Sequence, residues 1–440
     1  MRLSGWGRFP VRDCTVSAPR DRAALAERVA AGRAIARGNG RAYGDSALSE
    51  VNTVDMRRFD RMLAFDPETG QLVAEAGVLL ADIIRAFLPR GWFPPVTPGT
   101  KFVTLGGMIA ADVHGKNHHV HGSFGSFVDW IEVMGPDGAV TRCARQENAE
   151  LFRWTVGGMG LTGVILRAAF RLTPVESGWI RQTTHPASDL DQAMELFEAA
   201  GTATYSVAWI DCLSRGASLG RSLLMLGEHA RRAELPVGRA YRPFDTGRRR
   251  RLRLPFDLPG VALNGVTVRA FNALYYRNGR RKAGETLVDW DSYFYPLDSI
   301  LGWNRIYGRR GFLQFQCVLP LDASREGLTA LLKAISAEGQ GSFLAVLKRF
   351  GAQDSRFSFP MAGYTLALDF PRTPAAMRLM DRLDAIALDH GGRFYLAKDA
   401  RLRPETLRRA DARADGFAEM RRQTGRAWAF ASAQSERLEI

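Results

Sequence analysis

Glycines set close together let backbone amides converge on an anion, and three such sets stand in this 440-residue chain. Gly38-x-Gly40-x-x-x-Gly44 follows a short apolar run, and with no Cβ in the way its N–H groups can point together at a phosphate. The spacing is not the GxGxxG that opens a Rossmann helix, and no GKS or GKT follows to make a P-loop. Alone, the loop is either an anion nest or a tight turn. Pro98-Gly99-Thr100 with Gly106-Gly107, and Gly157-Gly158-Met159-Gly160-Leu161-Thr162-Gly163, shift that balance. Three glycine loops with little charge between them suit a large dinucleotide gripped along its length by backbone, since a pyrophosphate needs only amide donors.

Other residue types are informative through rarity. Of 60 basic residues only six are lysine, and three of these fall at Lys116 in HGKNHH, Lys348 in an apolar strand-like run and Lys398 in YLAKD. Four of the seven histidines, His114, His118, His119 and His121, share one stretch. Their surroundings are glycine-rich loop without the helical His pair and carboxylate that a zinc site favours, so no metal is expected. The cysteines, Cys14, Cys143, Cys212 and Cys317, are scattered without a CxxC and read as reduced core residues.

The elements that must position these residues alternate in short pieces. Ala23 to Arg33 reads as a helix, 33–37 as a strand running into the first glycine loop, 72–77 as a strand and 79–88 as a helix. Residues 130–140 have the form of a hairpin turning at Pro136 to Gly138. A second block begins near Thr173-Pro174, with strand-like runs at 205–211, 312–319, 343–350 and 364–370, helices at 323–338 and 374–389, a short strand from Arg393 and a helical C-terminus. This order predicts an α+β chain rather than a doubly wound parallel sheet.

Composition excludes several classes. With 46% hydrophobic residues and no uninterrupted apolar run of about 18 residues, the chain is neither disordered nor membrane-spanning. Met1 to Arg20 lacks a signal-peptide core, so a cytoplasmic location is expected, peripheral at the inner membrane. The net charge of +14 is local: from Arg231 to Lys282 fourteen basic residues face three acids, a surplus of +11. The run 248–256 mixes arginines with apolar residues and prolines and is expected to be a mobile basic loop, for which nucleic acid, an anionic membrane surface or a phosphorylated substrate are the possible partners.

Together GNGRAYGD (38–45), TPGT (97–100), GGMIAADVHGKNHHVHGS (106–123) and GGMGLTGVI (157–165) resemble the FAD-binding half of the vanillyl-alcohol-oxidase superfamily, the PCMH-type flavoproteins. In particular they resemble the oxidase subunits of decaprenylphosphoryl-β-D-ribose 2′-epimerases. Likeness extends through 6–8, 205–211, 296–298, 303–305, 311–316, 348–351, 369–371 and 395–401, and is weakest in the basic segment. It implies two domains: a PCMH-type FAD-binding domain over 1–175 with a C-terminal return over 393–440, and a substrate domain over 176–392, an antiparallel sheet covered by helices that contains a basic mobile segment over 231–282.

The resemblance also assigns residues. Arg37, Gly38, Asn39, Gly40, Arg41, Ala42, Tyr43, Gly44, Asp45 and Gly99 would hold the pyrophosphate. Thr104, Leu105, Gly106, Gly107, Ala111, Asp112, Val113 and His114 would run beside the flavin, with Ile165 and Tyr395 completing its pocket. Covalent relatives place a histidine where this chain has Arg41, so a non-covalent FAD is expected. Lys398 would be the catalytic group, with Gln316 and Lys348 orienting the sugar. Lys116, Trp209, Gln314, Phe294, Phe350, Thr365 and Ala367 would meet the substrate. Mycobacterial members carry cysteine, asparagine, serine and tyrosine where this chain has Ala367, Thr365, Val207 and Phe294, all on the substrate side.

The implied reaction is oxidation of the ribose 2′-hydroxyl of a polyprenyl-phosphate sugar, finished as an epimerisation by a separate NAD(P)H-dependent short-chain reductase. The basic segment would then meet the membrane or the lipid phosphate, and nucleic acid is not an expected partner. A soluble alditol or aldonolactone oxidase using dioxygen is the rival enzyme, and a basic membrane- or nucleic-acid-binding protein the rival without catalysis.

Overall fold

The computed structural model describes residues 1–247, 251–259 and 264–440. In chain order its main elements are β1 (Val16–Ser17), α1 (Arg22–Ala30), β2 (Ala34–Arg37), β3 (Asn52–Asp55), β4 (Met62–Phe65), β5 (Gln71–Glu75), α2 (Leu80–Phe87) and α3 (Leu105–Ala110). Then follow β6 (Val128–Met134), β7 (Val140–Ala144) and β8 (Val164–Arg171). The second half contains β9 (Trp179–Ala187), α4 (Leu190–Ala199), β10 (Tyr205–Ile210), β11 (Ser222–His229), α5 (Gly265–Arg281), β12 (Gly284–Asp289), β13 (Phe312–Pro320), α6 (Leu321–Glu338), β14 (Ala345–Phe350), β15 (Gly363–Pro371), α7 (Pro374–Asp389) and β16 (Arg393–Phe394).

The chain is α+β. A small parallel sheet, order β1-β3-β2, and a five-stranded antiparallel sheet, order β7-β6-β8-β5-β4, hold the first half together. Val140 pairs with Met134 and Gly138 N donates to Gly135 O, closing the hairpin at the turn where Pro and Gly place it. Leu72, Ile83, Ile84, Met108, Ile131 and Phe170 form the core between the five-stranded sheet and helices α2 and α3.

The second half is an eight-stranded antiparallel sheet, order β12-β9-β11-β10-β14-β15-β13-β16. Its strands alternate, so each face has its own composition. Leu313, Phe315, Cys317 and Leu319 of β13, with Leu366 and Leu368 of β15 and Leu347 of β14, join Leu328, Leu331 and Leu332 of α6 and Leu379 and Leu383 of α7 in one core. Gln314 and Gln316 have the opposite parity, and register sets them against Asp369 and Ala367; Lys348 stands against Thr365 and Val346 against Ala367 and Trp209. Polar positions of three strands, with Trp209 of a fourth, are thereby gathered on the face that the helices leave uncovered.

The end of the chain ties the halves together. Phe394 pairs with Cys317 at the edge of the large sheet, so the C-terminal return begins inside that sheet. Beyond it Ala431 N donates to Ala34 O, and Arg437 bridges Asp45 and Asp399, both at 2.8 Å.

Two readings of loop need correction. The basic segment 231–282 includes the 17-residue helix α5, capped by Asn264, whose side chain accepts from Val266 N and Thr267 N. Val268 and Asn272, one turn apart, are its buried residues, and Asn272 Nδ2 donates to Asp211 Oδ1 at 2.8 Å. So narrow a buried stripe inside an arginine-rich stretch leaves little periodic signal. Arg248, Arg249 and Arg250, the centre of the expected mobile loop, lie outside the described residues. The histidine stretch contains one helical turn, His118–His121.

Candidate active site

Between the glycine loops and the uncovered face of the large sheet lies a cavity of about 390 Å³. Its loop wall begins where β2 ends. Gly38 passes so close to Thr104 that a Cβ would lie 2.2 Å from Thr104 Oγ1, and only glycine permits that contact. Asn39 Nδ2 donates to Phe102 O at 2.8 Å, tying the first glycine loop to the second. The Arg41 guanidinium lies over the Trp6 ring at 4.0 Å, and burial lowers its pKa. Gly99 looks into open space, and Gly106 and Gly107, Ala111, Val113, His114 and Ile165 continue the wall.

The sheet wall carries Gln314, Gln316, Lys348, Thr365, Ala367, Trp209 and Val207, with Phe294, Lys116, Tyr395 and Lys398 completing the enclosure. Tyr395 joins the walls, its hydroxyl donating to Ala111 O at 3.0 Å. Thr365 Oγ1 gives its proton to Cys317 O at 2.8 Å and accepts from Gln316 Nε2 at 3.2 Å. The same amide nitrogen faces His114 Nε2 at 3.1 Å, so that ring nitrogen accepts and the proton resides on Nδ1. Burial, then Lys348, holds the His114 pKa well below the usual histidine range, which keeps the ring neutral.

Three lysines converge here. Lys116 is pushed down to about 7 by burial and then by Lys348, and Lys348 to about 8 by burial. Lys116 Nζ donates to Tyr293 O and lies 3.9 Å from the Tyr293 ring centroid. Lys398 Nζ lies 3.7 Å above the Tyr43 ring, and burial holds its pKa below the ordinary ammonium range, against the attraction of Asp369. Asp399, the neighbour most available to neutralise Lys398, is instead taken by Arg437, Gln434 and the amides of Arg401 and Leu402.

Several expected site residues stand behind the walls. Arg37 donates to Ser4 O at 2.8 Å and braces the glycine loop. A Cβ on Gly44 would lie 2.0 Å from Asp399 O, so this glycine serves a chain crossing. Asp45 pairs with Arg437, Leu105 belongs to the core, and Asp112 accepts from Ser123, Gly125 and Gln353. Phe350, expected at the substrate, is fully buried with its ring 4.7 Å from His114 and 4.4 Å from His118. It orients the histidine from behind.

The third glycine loop reaches the cavity through Met159, Gly160 and Gly163, and Trp6, Val346 and Tyr275 line it without having been singled out for it. Asp369 is buried with one carboxylate oxygen held by Gln314 Nε2 at 2.5 Å, and burial pushes its pKa up. Its signal in the sequence was a lone acid in a strand, which became legible only beside Gln314 and Lys398. His118, His119 and His121 are engaged by Gln353, Ala203 O and Asn117, and no group of three or more metal-capable side chains occurs among the described residues.

The donor set fits FAD. Among the described residues no carboxylate lines the cavity, whereas three lysines and Arg41 do. The loop wall offers glycine backbone, which suits a pyrophosphate, and the sheet wall offers cations and amides to a polar substrate. A glycine-rich loop wall facing three lysines and two glutamines across one cavity suits a flavin-dependent oxidoreductase.

Sequence relatives agree. Residues 16–144 match the family described as FAD binding domain. The chain is 35% identical to decaprenylphosphoryl-beta-D-ribose oxidase of Mycolicibacterium smegmatis over 100% of its own length and 97% of the relative's. It is 34% identical to an uncharacterized protein of Streptomyces coelicolor, covering 82% of this chain and all of that one. L-gulonolactone oxidase of Bos taurus is 28% identical over 34% of each chain. The protein belongs to the FAD-dependent oxidase family with a PCMH-type FAD-binding domain.

Proposed function

We propose that the protein oxidises the 2′-hydroxyl of a polyprenyl-phosphoryl-β-D-ribose to a ketone, with FAD held non-covalently. The observation that carries this reading is the enclosure of Gln316, Lys348 and Lys398 against the FAD-binding loops in one cavity, in a chain similar from end to end to a decaprenylphosphoryl-ribose oxidase. Bound there, the flavin supplies the two-electron acceptor for a carbinol C–H bond. Lys398, its proton disfavoured by burial, takes the hydroxyl proton as the carbonyl forms. Gln316 and Lys348 orient the sugar from adjoining strands, and the cationic lining attracts the phosphate. Arg41 stands where covalent relatives carry histidine, and Cys317 faces the helix-covered core with its thiol pushed up to about 12 by burial, which supports non-covalent binding.

A ketone product calls for a separate NAD(P)H-dependent reductase to complete an epimerisation. Anaerobic bleaching of the flavin by a panel of substrates tests the assignment. Farnesyl- or polyprenyl-phosphoryl ribose should bleach it; failure of every lipid-linked pentose together with bleaching by a free polyol overturns the reading in favour of an alditol or aldonolactone oxidase.

A further inference from the structure

Beside the cavity lies a basic and apolar face that no described residue covers. Helix α5 turns Val268 and Asn272 inward and exposes Val266, Phe271 and Leu274, at 74%, 43% and 59%. Residues 264–282 carry Arg269, Arg277, Arg280, Arg281 and Lys282 and no acid. A second exposed apolar pair, Leu252 and Phe256, lies in the strap 251–259, where Arg305 Nη1 donates to Pro255 O at 2.6 Å and Arg8 pairs with Asp257 at 2.8 Å. That pairing occupies the strap's one acid.

Both elements adjoin the cavity. Tyr275 of α5 lines it, with its ring 4.7 Å from that of Trp209. Leu252 pairs with Ile300, three residues beyond the lining residue Leu297. A covering partner must therefore be anionic and also accept aliphatic side chains. The exposed apolar residues are Val266, Leu274 and Leu252 together with Phe271, Tyr275 and Phe256, and arginine mixed with aliphatic and aromatic residues on one face is the make-up of an interfacial helix.

We propose that α5, with the adjoining strap, seats the protein on the surface of an anionic lipid bilayer, so that the side of the cavity lined by Tyr275 lies next to the lipid. The biological purpose of this seating rests on the lipid-linked substrate proposed above, but binding is measured without substrate, so each reading can fail while the other stands.

The test is co-sedimentation of the full-length holoenzyme with vesicles of phosphatidylcholine alone or mixed with phosphatidylglycerol. Binding should require the anionic lipid and weaken with salt. Phe271→Asp/Leu274→Asp and Arg277→Glu/Arg280→Glu/Arg281→Glu should each lower the bound fraction roughly tenfold while retaining the flavin absorbance. No binding to anionic vesicles, equal binding to neutral ones, or binding unchanged in both variants overturns the proposal. Capture of a reductase by this face without vesicle binding also overturns it, by assigning the surface to a protein partner.

Discussion

The two walls of the cavity are built by different means. The loop wall is made largely of backbone: its glycines are needed because Gly38 meets Thr104 and Gly106 meets Ala76 more closely than any Cβ allows. The sheet wall is made of side chains sorted by strand parity, with Gln314, Gln316, Lys348, Thr365 and Ala367 gathered from three strands by register. A backbone grip tolerates little change in residue type but is indifferent to which substrate is oxidised. A wall of side chains can change its substrate while the fold stays the same. The four substrate-side departures, Val207, Phe294, Thr365 and Ala367, all line the cavity and none belongs to the glycine loops.

Lys398→Met tests this division most severely. It should slow anaerobic flavin reduction by about 10³-fold with flavin content unchanged, because it removes the proposed proton acceptor and leaves the loops alone. The wild-type reduction rate should also fall as pH drops: a depressed lysine pKa makes the neutral base available well below pH 10.5, and acid converts it to the cation. Stopped-flow absorbance measures both. Loss of flavin in the variant, or a rate that rises in acid, would break the separation.

Gly38→Ala should do the reverse. Displacing Thr104 should lower the flavin retained per mole of protein by roughly tenfold, while molecules that keep flavin reduce it at the parental rate. Absorbance ratios after gel filtration report the first effect and single-turnover kinetics the second. The smallest change is expected for Thr365→Asn/Ala367→Cys, which should alter KM for the lipid-linked sugar within about tenfold and leave flavin affinity untouched. A loss of flavin there would show that the walls are not independent.

Much of the loop wall was legible because its requirements are local. Gly38, Gly40, Gly106 and Gly107 announce close backbone approach by type and spacing alone, and the 136–138 turn announces its hairpin. The error lay in depth. Arg37, Asp45, Leu105 and Asp112 neighbour the right residues in sequence, but their side chains point away to brace the loops. Helix α5 escaped notice because a stripe reduced to Val268 and Asn272 is too narrow to show against its arginines. Asp369 escaped because its meaning depends on Gln314, 55 positions away.

Glycine spacing, lysine scarcity and the α+β order of elements were therefore properties of the chain itself, and they led to a dinucleotide gripped by backbone. Which lysines share a cavity, that Asp399 is taken by Arg437 while Asp369 faces Lys398, and that Phe350 stands behind His114 were decided by pairing between distant strands and by the return of the C-terminus. The physical reason is that backbone conformation is dictated within a few residues. A side chain's charge state is dictated by what folding buries beside it, whatever its distance along the chain.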